Sequence, residues 1–335
     1  MNPTLPAEAA EFGAAAERAL AGIGAVDAAR RAEADPDVRR GPVASTLEAL
    51  GIDGLDPRAD LDTAAAGGEL CRAAGRVALP YPVVAVLLRH PSDGLPFALV
   101  PEDRCRVDHG DLFNRWRVET LAGAAWEASP VGARLGSRLG PFVTDLSGPP
   151  PAGPPPAGPP SVDVAPASAP ADVVLHLTLT AWLVLGVVER AIELAVAHVS
   201  GRVQFGQPLS AFQAVQFQLA DAAVGADGLR ELCRFTLWRL FASSEGALAD
   251  ALALRVHALD VARAVLRTTQ QLHGAAGVCD EYDISVLVRH VQPALRLPFG
   301  AERATAELVN AVARLGFASL FPHGAALDGA VRDGP

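Results

Sequence analysis

The chain has 335 residues, of which half are hydrophobic and one fifth charged, with a formal net charge of -10. All 28 basic residues are arginine and none forms a basic stripe, which argues against a nucleic-acid-binding surface. A mean hydropathy of +0.24 over this length allows a large core, or a core together with a buried subunit interface.

The N-terminus carries Glu8 and Glu11 and lacks a basic-then-apolar pattern, so no secretory signal is read there. Residues 6–90 have a helical texture, rich in Ala, Leu and Glu. The segment 63–76 ends before Pro80 and Pro82, which stop or restart a helix. From about 95 to 145, short apolar groups (Phe97–Val100, Trp116–Val118, Phe142–Val143) alternate with Gly, Asp and Pro, the pattern of short strands joined by turns. Residues 147–161 are a Pro- and Gly-rich run that favours extended loop structure.

Beyond residue 171 the chain is patterned almost entirely for helices. The apolar run 173–188 is interrupted by His176, Thr178 and Thr180, and is shorter than the roughly 20 apolar residues of a membrane span. A break at 201–208 follows, with Ser210 read as the N-cap of the next helix. A further helix covers about 247–272, and a last one starts near Ala301. Four long helices with short connections imply an antiparallel bundle. Cys71, Cys105, Cys233 and Cys279 are widely spaced, which fits neither zinc nor a disulfide framework.

The expected fold is mainly α with a small β unit. Its division is an N-terminal helical domain (1–94), a reduced β domain with the Pro-rich loop (95–165), a C-terminal helical bundle (166–322) and a tail (323–335). A cytoplasmic setting, with no membrane span, is the expectation.

Two blocks of the bundle resemble a known family. The first is Gly201-Arg-Val-Gln-Phe-Gly-Gln-Pro-Leu-Ser-Ala-Phe-Gln213, followed by Gln218-Leu-Ala-Asp221. The second is Gln271-Leu-His-Gly-Ala-Ala-Gly277 with Glu281-Tyr282. In order and separation they are similar to the acyl-CoA dehydrogenase family, and Glu69–Arg76 with Pro80 resembles that family's N-terminal region. The resemblance implies FAD as cofactor, an acyl-CoA substrate, and an electron-transferring flavoprotein as acceptor. It also implies that these blocks reach across a subunit interface to the adenosine diphosphate end of a neighbour's FAD. Arg202, Gln204, Phe205, Leu209, Gln213, Gln271, Gly274 and Ala275 are the residues so implied. Their chemistry suits the role. An Arg fork matches phosphate oxygens, an amide donates and accepts, and small residues let a cofactor approach the main chain.

The sequence departs from the family pattern at the catalytic acid. The turn where most members carry the base reads Arg296-Leu-Pro-Phe-Gly300, with Pro298 near the acid's place. The alternative position, on the helix before the motif arginine, is His176. Proline has no proton-accepting side chain, and no Glu stands near His176; Asp172 is one turn away. His176 and Glu302 are weak candidates for a displaced base. His176 reads as a histidine within an apolar helix, Glu302 as a first-turn acid. Glu189 and Glu193 read as residues of a polar helix face. The family's flavin-ring loop and Trp-containing strand are missing from the middle segment. The chain therefore resembles the degenerate subunit of heterotetrameric, steroid-type actinobacterial acyl-CoA dehydrogenases: it would help to hold FAD without supplying a base. A self-sufficient homo-oligomer with a displaced base, and a flavin-free helical scaffold, are the alternatives.

Overall fold

The structure is a computed structural model and describes residues 6–90, 92–132, 139–149, 171–243 and 246–315. Most of the Pro-rich loop and the whole of 316–335 lie outside the described residues. The architecture is mainly helical with small sheets, as the patterning predicts.

The N-terminal part contains α1 (Ala7–Gly22), α2 (Val26–Ala34), α3 (Pro42–Ala49), α4 (Leu61–Arg76) and α5 (Val83–Leu87). α4 begins at an Asp60 cap whose carboxylate accepts from the Thr63 N–H at 2.7 Å. Its interior is lined by small residues, which let another helix come close.

The middle part holds β1 (Phe97–Leu99), β2 (Arg106–Val107), β3 (Trp116–Glu119), β4 (Ala125–Ala128), β5 (Pro130–Val131) and β6 (Thr144–Leu146). They form two three-stranded sheets, β1-β3-β4 and β2-β6-β5, in which only the β1–β3 pairing is parallel. Trp116 anchors a small separate core with Val107, Val118 and Leu146, and its indole N–H donates to the Gly110 carbonyl at 3.1 Å. Arg39, fully buried, fastens the N-terminal helices to this unit. It forks onto Asp111 at 2.6 and 3.0 Å and lies 4.2 Å above the Phe142 ring.

α6 (Ala171–Gly201) opens the bundle and leads into a hairpin of β7 (Val203–Gln204) and β8 (Gln207–Pro208). α7 (Gln213–Ala242), α8 (Ala247–His273), α9 (Asp283–His290), α10 (Gln292–Arg296) and α11 (Ala301–Leu315) complete it. α6 is long and apolar enough to cross a membrane, yet 83% of its most apolar stretch is buried inside the protein. It packs against α4, α7 and α8, so its apolar surface belongs to the core.

The α4–α6 crossing is unusually close. A Cβ added to Gly75 would stand 2.0 Å from the Leu183 carbonyl oxygen, and one added to Gly186 would stand 1.9 Å from that of Arg72. Backbone meets backbone there because neither helix has a side chain at the contact.

Two local expectations are corrected. Ser210 does not cap α7; it lies in a 3-10 turn over Leu209–Ala211, and Phe212 precedes the first helical residue. The turn is favoured because the hairpin redirects the chain three residues before the helix begins. Glu189 is not on a polar face: it is 8% exposed and held by Arg72 at 2.6 Å and Arg230 at 2.9 Å. A buried carboxylate is tolerable there because the guanidiniums of Arg72, Arg76 and Arg230 surround it. Glu193 is exposed, paired with Arg76 at 2.8 Å.

Candidate functional site

The first region is the open end of the bundle where α6 and α8 finish. The hairpin turns through Phe205 (φ 53°) and Gly206 (φ 81°), with Val203 paired to Pro208 and Gln204 to Gln207. Two consecutive positive φ values are the signature of a tight hairpin turn, for which glycine is well suited and phenylalanine is not. The strained Phe205 is 91% exposed, so its ring gains little from this chain's own core; it meets Phe212 edge-on at 6.3 Å. Arg202 keeps the helical bond to His198 through its N–H, and its carbonyl accepts from Leu209. Among the described residues its guanidinium has no carboxylate partner.

The second block lies beside the first. His198, one turn before Arg202, stacks on His273, two residues past Gln271, with ring centroids 4.6 Å apart. His273 Nδ1 donates to the Thr269 carbonyl at 2.7 Å, because a carbonyl only accepts. Burial, followed by the nearby His273 and Arg202, holds His198 below the usual histidine range. Gln204, Gln213, Gln271, Gly274 and Ala275 are all exposed and Leu209 is half-buried. Gly274 ends α8 at φ 61°, and nothing lies within 4 Å of where its Cβ would be. An unpaired guanidinium, an exposed aromatic, free amides and an open glycine thus share one end of the bundle. The chemistry of this set suits the diphosphate and adenosine of FAD.

The second region is a cavity of about 130 Å³ between α4, α6, the β unit and the 290–298 segment. Its walls are largely apolar, with Ala78, Leu99, Leu183 and Val187. Both positions that the sequence resemblance implies for an acid, His176 on α6 and Pro298, line this cavity. Burial and then the charge of Arg255 hold His176 at about 3, so its ring is neutral and a poor proton acceptor. Arg255 is itself buried. It donates to the carbonyls of Ala294, Leu297 and Phe299 at 2.5, 3.0 and 2.9 Å, which fixes the Pro298 turn. Asp172 is bound by Arg58 at 2.6 Å, and Glu302 is exposed on the first turn of α11, away from the cavity lining.

Asp108, His109 and His290 also line the cavity and carry no sequence motif. His109 is buried at φ 55° and stacks on Phe142 at 4.8 Å. Arg39 Nη1 stands 3.3 Å from His109 Nδ1. A guanidinium only donates, so Nδ1 accepts and the neutral ring carries its proton on Nε2, 3.5 Å from Asp108 Oδ2. Burial, then Arg39 and His290, keep His109 well below its ordinary range. His290 is held by Glu33 at 2.6 Å. Glu33 lies at about 2, because the bonds from His290 and Arg289 outweigh its burial.

Asp108 keeps 30% of its side-chain surface accessible and lines the cavity. Burial pushes its carboxyl up to about 7, against the smaller opposing effects of the His109 N–H and Arg39. The folded state therefore holds a proton that the unfolded chain releases from about pH 4 upward, and stability falls as pH rises from 4 to 7. Asp108→Asn keeps an acceptor for the His109 N–H and removes the ionisation. It is expected to match wild type near pH 4 and to exceed it at pH 8 by on the order of 2–4 kcal/mol in urea unfolding. Equal stability at both pH values would show the carboxyl to be unperturbed.

Among the described residues no group of three or more His, Cys, Asp or Glu is placed to hold a metal ion.

Comparison with known proteins bears on both regions. Residues 178–313 match the family model described as acyl-CoA dehydrogenase, C-terminal domain. The short-chain-specific acyl-CoA dehydrogenase of Megasphaera elsdenii is 34% identical over 110 residues, covering 33% of this chain and 28% of that protein. The match therefore spans little more than a quarter of the length of such curated relatives. Two solved structures share the fold at low identity. The ChsE4-ChsE5 complex from Mycobacterium tuberculosis aligns with a TM-score of 0.72 at 18% identity, covering 93% of this chain and 99% of the other. A variant of the Tcur3481-Tcur3483 steroid ACAD aligns at 0.71 and 20%, with 93% and 99% covered.

Proposed function

We propose, for a chain that has the acyl-CoA dehydrogenase fold and carries that family's C-terminal domain, the role of a subunit in an FAD-dependent acyl-CoA dehydrogenase complex. In this reading Arg202, Gln204, Phe205, Leu209, Gln213, Gln271, Gly274 and Ala275 hold the adenosine diphosphate end of an FAD whose ring sits on a second, longer subunit. Bound FAD supplies the hydride acceptor for α,β-dehydrogenation of an acyl-CoA thioester. This chain's residues bind and orient; they supply no base. The carrying observation is the pairing of two features: an unpartnered Arg202 on an exposed hairpin beside Gln271, and the occupation of both acid positions by His176 and Pro298.

A partner is supported by apolar surface left uncovered on the hairpin and along α7. Val203 is 59% exposed, Phe205 91%, and Phe217 and Val224 on one face of α7 are 59% and 73%. Such a surface suits a permanent interface. The fold likeness to the ChsE4-ChsE5 complex and to a steroid ACAD supports a heterotetramer acting on a bulky, steroid-like acyl-CoA. An electron-transferring flavoprotein as acceptor, a cytoplasmic location and the division at 94, 165 and 322 belong to the same reading.

The test is the visible spectrum of the chain purified alone and after co-expression with a candidate acyl-CoA dehydrogenase partner subunit. The expected result is a colourless chain alone and a yellow complex. A complex that forms and stays colourless contradicts the reading.

Asp108 supports a second reading, a self-sufficient enzyme with a displaced base, since a carboxyl near neutrality inside an apolar cavity has the properties of a general base. It requires that the chain alone be yellow and oxidise acyl-CoA, and that Asp108→Asn abolish this while retaining flavin.

A further inference from the structure

His198 lies outside both blocks that carry the family resemblance, and it joins them. It sits near the end of α6, one turn before Arg202. Its ring lies on that of His273 at the end of α8, with centroids 4.6 Å apart and planes 29° from parallel. His273 is buried, and its Nδ1–H is committed to the Thr269 carbonyl at 2.7 Å. His198 is half-buried, and among the described residues its ring has neither an ion pair nor a hydrogen bond.

The charged groups that act on His198 are His273 from α8 and Arg202 beyond it on α6. The β7–β8 hairpin and the 3-10 turn at Leu209–Ala211 also pack on α6, and neither carries an ionisable side chain. The first acid on α7 is Asp221, two turns into that helix. Glu193, further back on α6, is paired with Arg76, and Asp280, past the loop that follows His273, is paired with Arg289. In the empty site, burial, the neighbouring ring and the Arg202 charge all oppose a proton on His198. The C-terminal turn of a helix acts the other way and favours a cation.

A bound anion reverses this balance. A diphosphate diester carries one negative charge on each phosphate, and Arg202 neutralises only one of them. The remaining charge stands one helical turn from the imidazole and stabilises its protonated form. We propose that His198 takes up a proton when a diphosphate anion occupies the Arg202 end, so that binding there tightens as pH falls. The identity of that anion as FAD rests on the function proposed above. Affinity is then flat at alkaline pH, rises as pH falls through the titration of the bound state, and levels off once the empty site is protonated too. Each unit by which the anion raises the titration of the ring gives about tenfold in affinity.

The test measures FAD affinity of the complex with its partner subunit between about pH 5.5 and 8, either side of the ordinary histidine range. Wild type is compared with His198→Phe, which keeps a flat ring against His273 and cannot ionise. Wild type is expected to bind FAD about tenfold more tightly at the acid end, and His198→Phe to show no such gain. A second readout needs no variant: the NMR titration of the His198 ring should have a higher midpoint with FAD bound than without. A third uses the full chain alone. ADP-ribose, whose diphosphate keeps its charge over this range, is titrated calorimetrically in two buffers of different ionisation enthalpy. Net proton uptake is expected in wild type and none in His198→Phe.

A flat wild-type profile, an equal gain in His198→Phe, or a His198 titration unmoved by FAD overturns the proposal. In each case a complex that holds FAD leaves the functional reading standing. A complex that holds no flavin at any pH contradicts that reading instead. Proton uptake with ADP-ribose that is lost in His198→Phe then upholds the proposal, and its absence overturns it.

Discussion

Replacing Gly186 by alanine is expected to leave little folded protein. The new methyl would lie 1.9 Å from the Arg72 carbonyl oxygen and 2.8 Å from its carbon, and both are main-chain atoms of α4. A side chain could rotate away; a helix backbone cannot, so α4 and α6 would have to separate. That movement would disturb Gly75, whose own approach to Leu183 is equally close, and Trp182, which packs onto Gly68. Ordinary overpacking costs about 1–3 kcal/mol; a clash between two backbones in the main core belongs above that range, at about 4 kcal/mol or more. Domains of this kind hold roughly 5–15 kcal/mol in total. Soluble yield and the guanidinium midpoint are the readouts. Gly225→Ala is the control: it sits inside α7 with only ordinary contact to Val261 at 3.6 Å, and should stabilise by about 0.5–1 kcal/mol.

Arg202→Ala should have the opposite profile, with stability intact and cofactor lost. Arg202 is exposed and forms no ion pair among the described residues, so its removal is expected to change unfolding by less than about 0.5 kcal/mol. Charge-assisted bonds from a guanidinium to a diphosphate contribute about 1.5–3 kcal/mol, which corresponds to roughly 10- to 150-fold in affinity. The flavin-to-protein ratio of the purified complex should fall accordingly. Arg202→Lys should recover only part of it, because an ammonium cannot reproduce the planar fork. An unchanged ratio in Arg202→Ala would support a scaffold that takes no part in flavin binding.

The bundle was legible because its signals are local. Helical periodicity on either side of 201–208 and the texture change near residue 95 depend only on neighbours in sequence. The break at 201–208 was read as an interruption, while its form, a hairpin turning at Phe205–Gly206, required backbone angles that a phenylalanine rarely adopts. The burial of Glu189 is not legible because periodicity gives a residue's face and not its company; Arg72 and Arg230 come from two other helices. The cavity was illegible for the same reason. Asp108 and His290 lie far apart in sequence and meet only after the β unit closes on the bundle, with Arg39 from the N-terminal helices fixing the His109 tautomer. Nothing in a run such as Val107-Asp-His-Gly110 announces an acid held near neutrality. The α4–α6 crossing is illegible in the sequence, because nothing local places Gly75 against the Leu183 carbonyl or Gly186 against that of Arg72.

The most direct measurement is a structure of the flavin-loaded complex of this chain with its longer partner. The account predicts one FAD at each interface between unlike subunits. Its ring would be enclosed by the partner, and its diphosphate would lie within about 2.8 Å of Arg202 of this chain, beside Gln271. An FAD held wholly by the partner, with the 203–208 hairpin of this chain turned to solvent, would contradict it.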